Sequence, residues 1–308
     1  MEKAERSCGN PGLVPTRSPA LLLPALLAAT AGCGVPPPRS QVPTGEDAIA
    51  RMRASAACGY GVKAQAKIDL FGKQGRVRGD LMLYAVAASR IRMDAISSFN
   101  VALATLTSDG KRFALADLRE KRFYVGPSTA CNIARFAAVP IPGHALVGFL
   151  RGQAPVLKHD PATLTIEWQR KGHYLVRVPS TRNAVEEIRI APHPDDLDKP
   201  WQEQRMRVVD VKVEQYGDVL YHAELEGHAP APMSTAMIDE AGLDPPIEPS
   251  GPPCQAEIPR RVHLEVPGDK QDVLLRYDQV SWNPPLPDGV FQQAPPPGMS
   301  PSPVECAD

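Results

Sequence analysis

Most of the marks of chemistry are missing from this sequence. It has no Cys-x-x-Cys pair, and its 7 histidines read as scattered, without a Cys, Asp or Glu spaced to set ligands on one face. That pattern predicts no metal site and no cofactor. No glycine-rich loop precedes a helix, and no serine sits in a nucleophile elbow, which excludes the common phosphate cradles and the serine hydrolase arrangement. Charge of one sign is not in excess: 34 Lys and Arg face 35 Asp and Glu, so nothing draws the chain as a whole to nucleic acid. The longest apolar run, 20–31, is too short to span a bilayer, which takes about 20 residues, and Pro24 interrupts it.

Proline is abundant, at 34 residues, and clustered in 34–43, 229–259 and 284–303. Such clusters mark linkers and tails around a folded body. Lys3, Arg6 and Arg17 precede the apolar run, which ends in small residues before Cys33. This is the layout of an export signal. Thr30-Ala31-Gly32-Cys33 resembles the lipobox of bacterial lipoproteins, with Thr30 where Leu is usual. The resemblance implies cleavage after residue 32, acylation of Cys33 with chains such as palmitate, and a Pro-rich tether over 33–44. Two or more acyl chains give stable anchoring. Gly34 follows, where Asp would resemble an inner-membrane retention signal, so the expected address is the outer membrane, facing the periplasm. An ordinary cleaved signal and an uncleaved anchor are the alternatives. Cys58, Cys131, Cys254 and Cys306 would then lie in an oxidising compartment, with three pairings open.

The folded body is expected over 45–293. Ile49, Met52 and Ala56 recur at helical spacing after the acidic Glu46 and Asp47, which predicts a short helix ending near Cys58. From Tyr60 the period becomes two. Strands are expected at 60–70, 77–84, 90–96, 101–107, 112–117, 121–125, 163–169, 173–178, 185–190, 204–215, 219–226, 260–266 and 272–282. Short turns between them favour antiparallel pairing. Helical spacing around Pro140 and Pro142 inserts two short helices within 127–151. The stretch 229–259 reads as a loop or lid excursion and 294–308 as a mobile tail. So wide a sheet must curl, which predicts a mainly β (α+β) fold: an antiparallel half-barrel of about ten or eleven strands with a lid of short helices. Strand parity points Leu81, Leu83, Ile91, Met93, Leu103 and Leu106 into the concave face, with Ile133, Phe136, Leu146 and Leu150 beneath the lid.

The run Ser97-Ser98-Phe99-Asn100-Val101 through Ser108-Asp109-Gly110-Lys111, then Val273-Leu274-Leu275-Arg276-Tyr277, Trp282-Asn283-Pro284 and Asp288-Gly289-Val290-Phe291, resembles the LolA/LolB superfamily of lipoprotein carriers and receptors. The resemblance covers roughly 47–297. It implies an incomplete barrel with a helical lid and a hydrophobic cavity for the acyl chains of lipids or lipoproteins, a periplasmic carrier as partner, and no catalysis. The receptor branch exposes an apolar residue on the loop that holds Phe99 here, with Phe99-Asn100 where the family has Leu then Gly. An aromatic there can enter a headgroup boundary or pack back on the sheet. Two alternatives stand beside this reading. One is a structural envelope lipoprotein with a filled concavity. The other is a zinc deacetylase, whose metal motif His193-Pro194-Asp195-Asp196 resembles, although Leu197 stands where Glu is usual. Arg51, Arg53, Lys63, Lys67, Lys73, Arg76 and Arg78 form a local basic excess that reads as solvated strand faces or as a meeting point for anionic headgroups.

Overall fold

A computed structural model describes residues 34–306 other than 73, 74, 98, 100 and 138, so the segment expected to be an export signal, and Cys33, lie outside the described residues. Thr44 opens helix α1 (Gly45–Ser55): its hydroxyl accepts from the Asp47 amide at 3.1 Å and satisfies one of the free N–H groups of the first turn. Ala48, Ile49 and Met52 form the buried face of α1, which packs on the sheet.

Strand alternation takes over at Gly61. Six strands follow as a meander: β1 (Gly61–Gly72), β2 (Gly75–Val86), β3 (Arg90–Ile96), β4 (Ala102–Ser108), β5 (Arg112–Asp117) and β6 (Arg122–Pro127). Helices α2 (Ala130–Ala137) and α3 (Gly143–Leu150) come next, separated by Pro140 and Pro142, which end one helix and start the other. The second half runs through β7 (Thr165–Gln169), β8 (His173–Pro179), β9 (Ala184–Pro192), β10 (Met206–Gln215) and β11 (Asp218–Glu226). A two-residue pair, β12 (Ala229–Pro230) with β13 (Glu257–Ile258), closes the excursion. Then come β14 (Arg261–Val266), β15 (Gln271–Trp282) and β16 (Pro301–Pro303).

One 14-stranded sheet carries the order β16-β6-β5-β4-β3-β2-β1-β15-β14-β11-β10-β9-β8-β7. Its two edge strands are not paired to each other, so the sheet is open. All its pairings are antiparallel except that of β16 with β6. The curl follows from what α3 touches. It packs on β2 and β3, its Leu150 carbonyl accepts from the Tyr277 hydroxyl of β15 at 2.8 Å, and Phe149 meets Tyr221 of β11 edge-on at 5.9 Å. Five strand-to-strand steps separate β3 from β11, about 24 Å if flat, whereas a helix with side chains is about 10–12 Å wide. The sheet therefore wraps around the helix. The protein is mainly β, a curled antiparallel half-barrel with short helices across its concave face.

Two expectations are corrected. The sheet has fourteen strands, not ten or eleven. The tail 294–308, expected to be mobile, supplies the fourteenth: Pro301–Pro303 lies parallel to β6, and the Val304 amide donates to the Val125 carbonyl at 2.8 Å. Proline in a strand hides this from sequence patterning, yet at a sheet edge the missing N–H costs nothing. Disulfides select one of the three open pairings, Cys58–Cys254 and Cys131–Cys306; the first ties the excursion to the end of α1, the second ties the tail to α2.

Candidate functional site

The concave face and its lid bring together most of the residues that the sequence assigned to a cavity. Leu83 stands opposite Met93, and Met93 opposite Leu106, across three neighbouring strands. These three, with Leu81 and Ile91, are at most 2% exposed. Ile133, Leu146 and Leu150 of the lid belong to the same apolar cluster, and Phe136 packs half-buried against it. Leu103 does not join them. A β-bulge pairs Ile96 with Ala102 and Ala95 with Ala104, which makes Leu103 the extra residue of its strand and leaves it half-buried outside the cluster. The concavity beneath α2 and α3 is thus occupied by side chains at these positions.

Two clefts open at one end of the half-barrel, on either side of Pro140 in the α2–α3 connection. A cleft of about 550 Å³ runs between Leu70, Val77, Cys131, Ala134 and Arg135. A second, of about 830 Å³, is lined by Pro142, His144, Leu157, Val213, Leu220, Tyr221 and Val266, with Arg182 and Asp218 among its polar groups. Behind this second cleft sits Glu186, fully buried. Burial pushes its carboxyl up to about 8, and the Leu157 amide donates to it at 2.8 Å. Burial also raises the Tyr221 hydroxyl and lowers the His144 imidazole, so all three shifts favour the neutral form.

The same end carries the turns between β1 and β2, β3 and β4, β5 and β6, β8 and β9, β10 and β11, and β14 and β15, as the register of each pair requires. Of the thirteen large apolar residues exposed among the described residues, eight lie on or beside these turns: Phe71, Val77, Phe99, Val101, Leu118, Val185, Tyr216 and Leu220. Phe99 is 88% exposed and does not pack back on the sheet. Basic residues accompany them at Arg76, Arg119, Lys121, Arg182 and Lys270. Part of the basic excess noted in the sequence is internally paired, since Asp69 receives Arg76 and Arg78, and Lys67 meets Asp80 at 3.0 Å.

The His193–Asp196 loop has a structural occupation. His193 Nδ1 accepts from the Asp195 amide at 3.1 Å and caps a 3-10 turn. Asp196, fully buried, takes Arg205 and Lys199, each at 2.7 Å, and the Arg205 guanidinium holds its carboxyl far below the usual range. The metal-ligating role suggested for this loop is replaced by a salt-bridged cap. Sequence reasoning instead missed His222 and His263, each of which meets two carboxylates on the outer face of the sheet. A signal was available: His222-Ala223-Glu224 and His263-Leu264-Glu265 repeat a His-x-Glu spacing that a strand places on one face.

No protein-family model matches this chain, and no curated protein matches it. Among solved structures it is similar to a LolA superfamily protein from Nitrosomonas europaea, with TM-score 0.49 and 10% identity over 82% of this chain and 99% of that one. It is also similar to a DUF1329 family protein from Desulfovibrio piger, with TM-score 0.47 and 10% identity over 80% of this chain and 95% of that one. An open antiparallel barrel with helices across its concave face is the architecture that the resemblance to the LolA/LolB superfamily implies, and it is the architecture of this chain.

Proposed function

We propose that this is a lipid-binding protein of a bacterial envelope, anchored through Cys33 and facing the periplasm, which admits an acyl chain of a lipid or lipoprotein beneath α2 and α3 and passes it to the outer membrane. The observation that carries the reading is the gathering of exposed apolar residues at the end where the two clefts open. Moving a fully exposed Phe side chain such as Phe99 out of water contributes about 1.5–3 kcal/mol, and a basic residue near an anionic surface about 1 kcal/mol. Several of each suffice for reversible contact with a membrane. An acyl chain entering there displaces the lid from the apolar concave face, exchanging one apolar surface for another. A periplasmic carrier would hand its cargo over at the same mouth.

A second reading, a structural envelope protein without cargo, draws on the filled concavity: Leu83, Ile91, Leu106, Ile133 and Leu150 are fully buried. Mass spectrometry of lipids retained by the Cys33→Ser chain separates the two. Acyl lipid in roughly equal amount to protein, lost when Leu220→Glu charges the larger cleft, supports the binding reading. A lipid-free protein that also ignores added fluorescent fatty acid retires it in favour of the structural one.

A further inference from the structure

On the outer face of the sheet, away from the lid and both clefts, two histidines and four carboxylates form a cluster with near two-fold regularity. β11 and β14 are antiparallel neighbours, and each carries His-x-Glu. Their register sets His222 opposite Glu265 and Glu224 opposite His263, so each imidazole faces the other strand's glutamate. The flanking strands complete the pattern, with Asp210 from β10 and Asp272 from β15. His222 Nε2 lies 2.7 Å from Asp210 and its Nδ1 3.3 Å from Glu265. His263 Nε2 lies 2.9 Å from Asp272 and its Nδ1 3.1 Å from Glu224. Alternation explains why all six point outward: Ala223, Leu225, Leu264 and Val273 between them are buried in the core.

The geometry points to a paired site for divalent cations of the zinc class, one ion held by Asp210, His222 and Glu224 and the other by His263, Glu265 and Asp272. In each triplet one ligand atom per residue lies within 4.8 Å of the others. Zinc, with bonds of about 2.0–2.2 Å, needs neighbouring donors about 3.2–3.6 Å apart, a closure that solvent-facing glutamate side chains supply by rotation. All six residues are half-buried: reachable from solvent, yet held by the strands on either side. Imidazole with carboxylate suits zinc and similar transition metals, whereas thiolate-dependent ions have no ligand here. The four carboxylates carry four negative charges, of which Arg189 offsets one through Asp210, so net negative charge remains for cations to neutralise. Arg189 also reaches Asp210 and fixes its orientation.

Metal loading of the intact chain, purified in non-ionic detergent and stripped with chelator, tests this. After equilibrium dialysis against micromolar zinc chloride, elemental analysis should find about two ions per chain, with a rise in Tm that grows with zinc. His222→Gln and His263→Gln should each remove about one ion, and the double variant both, while His159→Gln, outside the cluster, changes nothing. Glu224→Gln and Glu265→Gln should weaken binding without touching an imidazole, which covers the case of a histidine variant that fails to fold. A chain that takes up no zinc overturns the proposal. So does zinc retained in full by the folded double histidine variant or by the two glutamine variants.

Discussion

The Leu157 amide donates to one carboxyl oxygen of Glu186 at 2.8 Å, while the other oxygen is buried without a hydrogen-bond partner. A carboxylate there would be an uncompensated charge, and so the group stays protonated until about pH 8. Below its ordinary value of 4.5 the acid is neutral in both folded and unfolded chains, and its burial is fully tolerated. Between 4.5 and about 8 only the unfolded chain ionises, so stability falls as pH rises, by up to about 1.4 kcal/mol per unit. Glu186→Gln keeps an acceptor for Leu157 and cannot ionise. Thermal melts from pH 5 to 8.5 should fall for the parent and run flatter for the variant, with the variant more stable at the alkaline end. Parallel curves would show that Glu186 does not control this window.

Cys131–Cys306 spans a sequence separation of 175 and holds β16 on the edge of the sheet. Replacing both by Ser should cost about 2–4 kcal/mol and release the tail. Limited proteolysis should then cut within 294–306 before the body, and an unchanged cleavage pattern would place the restraint in the β16–β6 pairing instead.

Asn283 joins three parts of the chain. Its Oδ1 accepts from the Tyr60 amide at 2.8 Å and from Gly61 at 3.3 Å, and its Nδ2 donates to the Cys58 carbonyl at 2.8 Å and to Pro252 at 2.7 Å. Its φ of 50° is a conformation that Asn adopts more readily than most residues. Asn283→Ala removes the side-chain partner of four backbone groups, that of Gly61 buried, and should cost about 2–4 kcal/mol in denaturant unfolding. Asn283→Asp, which can accept but not donate when ionised, should be destabilising too.

Phe99→Asp should leave Tm unchanged, because the side chain is exposed, and reduce co-sedimentation with anionic vesicles several-fold. Val178→Asp is a poor control, since it lies in the core; Tyr60→Ser, at the opposite end of the sheet, is a suitable one and should bind as the parent does. Equal losses for Phe99→Asp and Tyr60→Ser would remove the hairpin end from the membrane contact.

Much of the fold was legible because period-two alternation and short polar turns are local. Val62 through Leu70, Val77 through Tyr84 and the hairpin around Gly217 announce themselves, as does the acidic first turn of α1. Inward parity held for Leu81, Leu83, Ile91, Met93 and Leu106, and broke at Leu103, where an extra residue in one strand has no signature in hydropathy. The tail strand was hidden by its prolines. His222 and His263 escaped notice because the spacing that matters runs across strands: Asp210 and Asp272 come from chain segments that only the sheet order makes neighbours.

What the sequence by itself determined is most of the element list, the four cysteines of the folded body and the amphipathic faces, since each depends on residues within one or two turns or strands. Only the tertiary structure decided which cysteines pair, that the tail completes the sheet, that the concavity is filled beneath its lid, and that two separate His-x-Glu strands meet four carboxylates. Those outcomes depend on contacts between residues tens to hundreds of positions apart, and register and packing, not local propensity, set them.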